Sequence, residues 1–240
     1  MLRNLFTSGL LTTLLAFSAT LAATELAPFH AEYELSYAIF SADVSFDLRR
    51  DDTPGHYVYK VTTKARGLAK AILRRKAIEK SHFSISDEHI LPARYQLDDG
   101  LGGVENKTYI TFVWGAGKAY SQHEGADLTI PIEAGTLDRL SADINVIMSL
   151  RAGNEPGSYP ILDGEDIDIY EFKRVGEERL KVPAGTFNTV KFRRQRRGSS
   201  RSTLIWFAPE QDYLPVRIDQ QKDGETSVTM TALLLQPESS

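Results

Sequence analysis

Apolar and polar residues take turns along most of this chain, and that period of two restricts it to β-structure. In "FHAEYELSY" the apolar set is Phe29, Ala31, Tyr33, Leu35 and Tyr37. In "ADVSFDL" it is Ala42, Val44, Phe46 and Leu48. The set moves from odd to even positions between the two runs, so a bulge or tight reversal is expected near residues 38–41. "YVYKVTTKA" alternates again through Tyr57, Tyr59, Val61 and Thr63, after a "TPGHY" turn. These runs predict an opening antiparallel meander.

Further on the pattern is mixed. "GLAKAILRRKAIEKSHFSI" is expected to begin as a helical turn and to become a strand by Ile78. "KTYITFVW" is apolar or β-branched on both parities, which predicts a strand covered on both faces. One helix is expected over 137–151, with Leu137, Leu140, Ile144, Ile147 and Met148 at helical spacing. Thr136 is placed to cap its start and Gly153 to end it. Strands resume after the loose stretch "RAGNEPGSYP", for about ten to twelve in all. Strands without alternating helices pair antiparallel, and that many should curl. The expected fold is mainly β: a curled antiparallel sheet, barrel or half-barrel, with one main α-helix packed against it.

The start of the chain bears on compartment. Arg3 precedes the apolar run "LFTSGLLTTLLAFSATLA", and small residues follow. This pattern predicts a signal peptide over 1–22, cleaved after Ala22, and a single β-rich periplasmic domain over 23–240. The chain has no cysteine, which excludes disulfides, thiol nucleophiles and thiolate metal sites. Its formal charge of −4 gives no bulk affinity for nucleic acid. No later segment is long enough to span a bilayer.

Several blocks carry a family likeness: "HAEYELSYAIF", "LPARYQL", "LDRLSADINVI", "VPAGTFNTVKF" and "LIWFAPEQDYLPVRID". Their order and spacing resemble the exported bacterial proteins grouped as domain-of-unknown-function family 3108, from about Phe29 to Leu235. The resemblance implies a periplasmic β-rich protein and carries over no reaction. "W-F-A-P…L-P-V-R-I" is also loosely similar to the half-barrels that ferry lipoproteins and lipids, at the level of fold alone.

No catalytic constellation is visible, and the chain is read as a non-enzyme without cofactor or metal. His30, His56, His82, His89 and His123 form no helical pair or ligand cluster. Ser141 lacks a nucleophile elbow and is expected on the solvent side of the helix. Asp138 and Asp143 are five apart and fall on different helix faces; helix capping explains Asp138. The acidic run "DGEDIDIYE" lacks the spacing of a calcium loop and reads as a solvated strand edge.

Basic residues are the stronger signal. Five arginines stand between Arg193 and Arg201, and in "VKFRRQRR" the even positions pass from Val190 and Phe192 to Arg194 and Arg196. Arg193 and Arg197 share the odd parity with Lys191. A second basic segment runs through Lys64, Arg66, Lys70, Arg74, Arg75, Lys76 and Lys80. Such arginines either guard a sheet edge or ring a pocket for an anionic group. The second alternative places Arg193, Arg194, Arg196, Arg197, Arg74 and Arg75 around an anionic head, with Trp206 and Trp114 as aromatic lining. The expected function is then a periplasmic carrier of an amphiphilic or anionic envelope component (lipid, lipoprotein or glycolipid), with an apolar cavity for its tail. The alternative is an envelope scaffold or folding helper that contacts protein partners and has no small-molecule cavity.

Overall fold

The computed structural model describes residues 26–71 and 75–238. The expected signal peptide lies outside them. Fourteen strands form one antiparallel sheet. The first eight are β1 (Phe29–Tyr37), β2 (Phe40–Arg50), β3 (His56–Arg66), β4 (Ala77–Ser86), β5 (His89–Asp98), β6 (Lys107–Val113), β7 (Lys118–His123) and β8 (Ala126–Pro131). Helix α1 (Arg139–Arg151) follows. The rest are β9 (Ser158–Leu162), β10 (Ile167–Val182), β11 (Gly185–Arg196), β12 (Arg201–Ala208), β13 (Leu214–Lys222) and β14 (Glu225–Pro237). Every strand pairs with its neighbour in sequence except at two places: β1 joins β14, and β8 and β9 are the free edges. The chain therefore builds outward from both of its ends, and the helix connects the two edges.

The sheet curls around α1 without closing strand to strand. Its gap is bridged by the segment that leads into the helix. Leu137 N–H donates to Pro160 O at 2.9 Å, and Leu162 N–H donates back to Leu137 O at 2.8 Å. On the other edge, Ile132 N–H reaches Gly117 O at 3.0 Å. Ser121 Oγ on β7 donates to Gly164 O in the β9–β10 turn. The Leu137 bonds cover part of the β9 edge, and the Ser121 bond ties β7 to the β9–β10 turn across the gap.

The alternating runs form the strands they predict. Phe29, Ala31 and Tyr33 are buried on β1, and Ala42, Val44, Phe46 and Leu48 on β2. The change of parity is a two-residue hairpin, with Tyr37 opposite Phe40 and Ala38 at φ +50°. The ambiguous basic segment begins as a 3₁₀ turn at Gly67–Ala71 and is strand from Ala77. β6 departs from expectation. Thr108, Ile110 and Phe112 are buried while Tyr109 and Val113 are exposed, because nothing packs on the convex side there.

The helix is buried almost all round: Leu140, Ser141, Ala142, Ile144, Val146, Ile147 and Leu150 leave no broad wet face. It is the core of the curl rather than a lid on it. Of the two capping residues read at its start, Asp138 and not Thr136 is the N-cap; its carboxylate accepts from Leu140 N–H (3.0 Å) and Ser141 N–H (2.9 Å). The Ser141 hydroxyl accepts from Asp138 N–H at 2.9 Å, which completes a capping box. Ser141 is thus buried and structural, not solvent-facing. Gly153 ends the helix at φ +75°, as expected. Below α1 the lumen is filled by rings: Tyr33 lies 4.6 Å from Phe46, and Phe46 lies 6.0 Å from Tyr59.

Candidate functional site: a cationic cleft at one end of the sheet

The inner face of β10–β14 changes character in rows. Strand pairing sets Phe192, Ile205, Ile218 and Met230 side by side. One step toward the open end stand Phe172, Arg194, Thr203 and Gln220. One step further stand Tyr170 and Arg196, then Arg201 paired with Lys222. An apolar row gives way to a mixed row and then to a charged one. Above the mixed row lies an open cleft of about 550 Å³. Its lining also includes Arg139, Ile161 and Asp163, and Tyr37, which continues the mixed row beyond Val228 of β14. Ser199, Ser202 and Ser227 add hydroxyls, and Gln220 and Gln221 add amides.

Most of the cations are held by carboxylates that lie far off in sequence. Arg194 donates to Asp143 on α1 at 2.9 Å. Burial raises the Asp143 pKa, and the nearby Arg194 guanidinium opposes that rise. Arg139 lies 3.5 Å from both Glu79 and Asp163. Glu79 in turn accepts from the buried Tyr95 hydroxyl at 2.6 Å. The Glu79 charge is the main reason that the Arg139 pKa is raised. Arg196 pairs with Asp168 at 3.0 Å. Arg201 and Lys222, neighbours in the charged row, form no ion pair with any described carboxylate.

The interior beneath is nearly full. Between α1 and the sheet there is a void of about 40 Å³, lined by Tyr59, Ile147, Phe172, Arg194 and Phe207 among others. Arg194 borders both spaces and forms the floor of the cleft. The expected tail-holding cavity is absent among the described residues, because α1 occupies the space inside the curl.

Of the residues read from sequence, Arg194 and Arg196 line the cleft. Arg193 alternates to the outer face and is exposed beside Lys173. Arg197 is exposed and pairs with Glu171 at 2.9 Å. Arg75 is exposed beside Gly102, at the same end of the sheet but outside the cleft, and Arg74 lies outside the described residues. The two tryptophans are not its lining. Ile205 and Phe207 point inward, so Trp206 between them points outward, where Lys191 Nζ sits 4.3 Å and Arg217 5.1 Å from its ring centre. Trp114 is at the opposite end, with Nε1–H donating to Pro92 O at 2.7 Å. Arg139, Asp163, Tyr37, Tyr170, Arg201 and Lys222 were not singled out as site residues.

No catalytic array faces the cleft among the described residues. Asp138 is fully buried in the helix cap, where it also accepts from Ser81 Oγ at 2.7 Å. Burial pushes its pKa up to about 6, against the pull of the Ser141 and Ser81 donors. His30 sits outside on β1 against Asp47 at 2.8 Å. No group of three or more metal-ligating side chains is present among the described residues. The "DGEDIDIYE" carboxylates serve the arginines: Asp163 meets Arg139, Asp168 meets Arg196, and Glu171 meets Arg197.

The model of family DUF3108, described as a protein of unknown function, matches residues 32–232. The chain belongs to the DUF3108 family. Among solved structures, this DUF3108 chain is similar to a β-barrel-like protein of the unknown-function family DUF1849 from Brucella abortus. That match has a TM-score of 0.54 and 9% identity, and covers 89% of this chain and 99% of the other. An exported protein with a YmcC-like fold from Bacteroides fragilis matches at TM-score 0.38 and 10% identity, over 88% and 100% of the two chains. The first of these supports the curled β-fold and nothing about ligands. A comparison with curated proteins gives no match.

Proposed function

We propose that this DUF3108 protein is an exported, non-enzymatic binding protein of the cell envelope. Its ligand is an anionic, hydroxyl-rich group, such as a phosphate- or carboxylate-bearing sugar of an envelope glycoconjugate, held in the cleft above Arg194. One observation carries the reading: Arg201 and Lys222 stand together, with no described carboxylate at ion-pair distance, in a cleft walled by hydroxyls and amides. A guanidinium offers a flat fork of donors to phosphate or carboxylate. Ser, Thr and Gln supply the paired donors and acceptors that sugar hydroxyls need, and Tyr37 and Tyr170 offer ring faces.

The space under the helix is far below the ~300 Å³ at which small-ligand pockets begin. An acyl tail, if the ligand has one, stays outside the protein. The non-enzymatic reading is supported by the carboxylates closest to the cleft, since Asp143, Asp163 and Asp168 are each engaged by an arginine. Export is the reading of the apolar first residues.

Thermal-shift titration tests the site with glucuronate and glucosamine phosphate against neutral glucose. The anionic sugars are expected to raise the melting temperature and glucose to leave it unchanged. In Arg201→Gln/Lys222→Gln the anion effect is expected to fall about tenfold in affinity, the equivalent of about 1.4 kcal/mol. Equal response to anionic and neutral sugars, or an undiminished response in the double variant, would reject the cleft.

A further inference from the structure

Among the described residues, the four most exposed large aliphatic side chains are Ile39, Leu68, Val104 and Leu101, at 77, 69, 69 and 50%. Scattered exposed aliphatics are ordinary on a protein surface. These four are not scattered. Ile39 is in the β1–β2 turn, Leu68 in the β3–β4 connection, and Leu101 and Val104 in the β5–β6 loop. Successive strands run antiparallel, so these three loops lie side by side at one end of the sheet. By the same alternation it is the end at which the β11–β12 and β13–β14 turns lie and the cleft opens. Loops at the other end carry Asp51 and Asp52, Asp87 and Glu88, and Glu210 and Asp212, with none of the aliphatic tips; at this end carboxylates such as Glu105, Glu124 and Glu165 stand among them.

Cations accompany the aliphatic tips. Lys64, Lys70, Arg75 and Lys76 are exposed around the β3–β4 connection. Arg66 in the same stretch is held by Glu34 and Asp43; Lys64 and Lys70 also feel the Asp43 charge and Arg75 that of Asp98, but none of the four lies within ion-pair distance of a described carboxylate. Side chains that protrude singly from separate loops do not make the recessed, contiguous surface that a folded protein partner fills. They do suit a fluid surface that closes around each tip. The unpaired cations say which fluid surface: one with anionic headgroups, each nearby lysine or arginine strengthening attachment about fivefold.

We propose that this end of the molecule docks on the surface of an anionic lipid bilayer, with Ile39 and Leu68 entering the headgroup layer and Lys64 and Lys70 against the phosphates. The docking stands apart from the ligand assigned to the cleft, although it turns the cleft mouth toward the membrane.

Flotation of the chain from Ala23 onward, which contains every described residue, tests this. Vesicles of phosphatidylethanolamine with phosphatidylglycerol are compared with vesicles of phosphatidylcholine. The parent is expected to float with the anionic vesicles and to be released by salt. Ile39→Asp/Leu68→Asp is expected to lose at least about tenfold in binding, and Lys64→Gln/Lys70→Gln several-fold, with melting temperatures held because all four side chains are exposed. Arg201→Gln/Lys222→Gln should still float, so a failed cleft and a failed docking surface are told apart. Equal flotation on both vesicle types overturns the proposal. So does an Ile39→Asp/Leu68→Asp variant that floats like the parent, or cross-linking that finds a soluble protein and no lipid at Ile39 and Leu68.

Discussion

The two halves of the lumen obey different rules although one sheet lines both. Around the middle of α1, Ile144, Val146 and Ile147 meet aromatic and aliphatic side chains, and little space is left. Two and four residues beyond Phe192 along β11, at Arg194 and Arg196, the same inner face carries guanidiniums and the wall recedes from the helix into an open cleft. In the packed half a residue is judged by volume, and a charge there has no partner. In the open half a residue is judged by charge, and its volume matters little. The comparison teaches where substitutions damage the fold and where they change only what it can hold.

The largest expected effect lies at the centre of the packed half. Ile144→Asp places an unpaired carboxylate among apolar neighbours and is expected to cost about 4 kcal/mol or more in urea unfolding. A loss near 1 kcal/mol would show that the helix is not enclosed. Asp138→Ala comes next, at about 2 kcal/mol, because it removes the cap and strands the Ser81 hydroxyl and two backbone N–H groups.

Asp138 also gives the packed half a pH dependence. Its pKa in the fold is about 6, above the ordinary carboxyl value, so the folded chain holds this proton more tightly than the unfolded chain. Its stabilising contribution is fully present below the unfolded value and is lost as pH rises through about 6. Measured against Asp138→Asn, the parent should gain about 1–2 kcal/mol when pH falls from about 7.5 to about 5. A gain in the opposite direction would mean that the Leu140, Ser141 and Ser81 donors outweigh burial.

At the boundary between the halves, Arg194→Gln leaves Asp143 without its cation, and a loss of about 1 kcal/mol is expected since both groups are partly wet. In the open half, Arg201→Gln should stay within about 0.5 kcal/mol of the parent and act on anion affinity alone. A large stability loss at Arg201 would make the cleft a structural element rather than a binding surface.

Much of the fold is legible in local pattern. The buried set of β2 is the one that the alternation marks, that of β1 holds through Tyr33 but not to exposed Tyr37, and the change of parity is the hairpin it requires. Ile144 and Ile147 are buried as their spacing demands. Thr136 and Asp138 both read as capping residues, and Asp138 takes the position because Ser141 stands three residues on to return the hydrogen bond. Other features are illegible for physical reasons. β6 has apolar residues on both parities, yet only one face is covered, since its convex side meets solvent. Trp206 was open to correction from parity alone: its neighbours Ile205 and Phe207 carry the apolar face inward.

The arginines mark the limit. Their alternation along β11 shows which of them share a face, because successive side chains on a strand must point to opposite sides. Whether that face meets water, a carboxylate or a ligand follows from curvature and from pairings between strands far apart in the chain. Arg194 and Asp143 are 51 residues apart, and they meet because the sheet wraps the helix. Backbone geometry acts between near neighbours and is written locally. Burial and charge compensation are properties of the assembled curl, which is why Arg201 and Lys222 are distinguishable from the other cations only once the strands are in register.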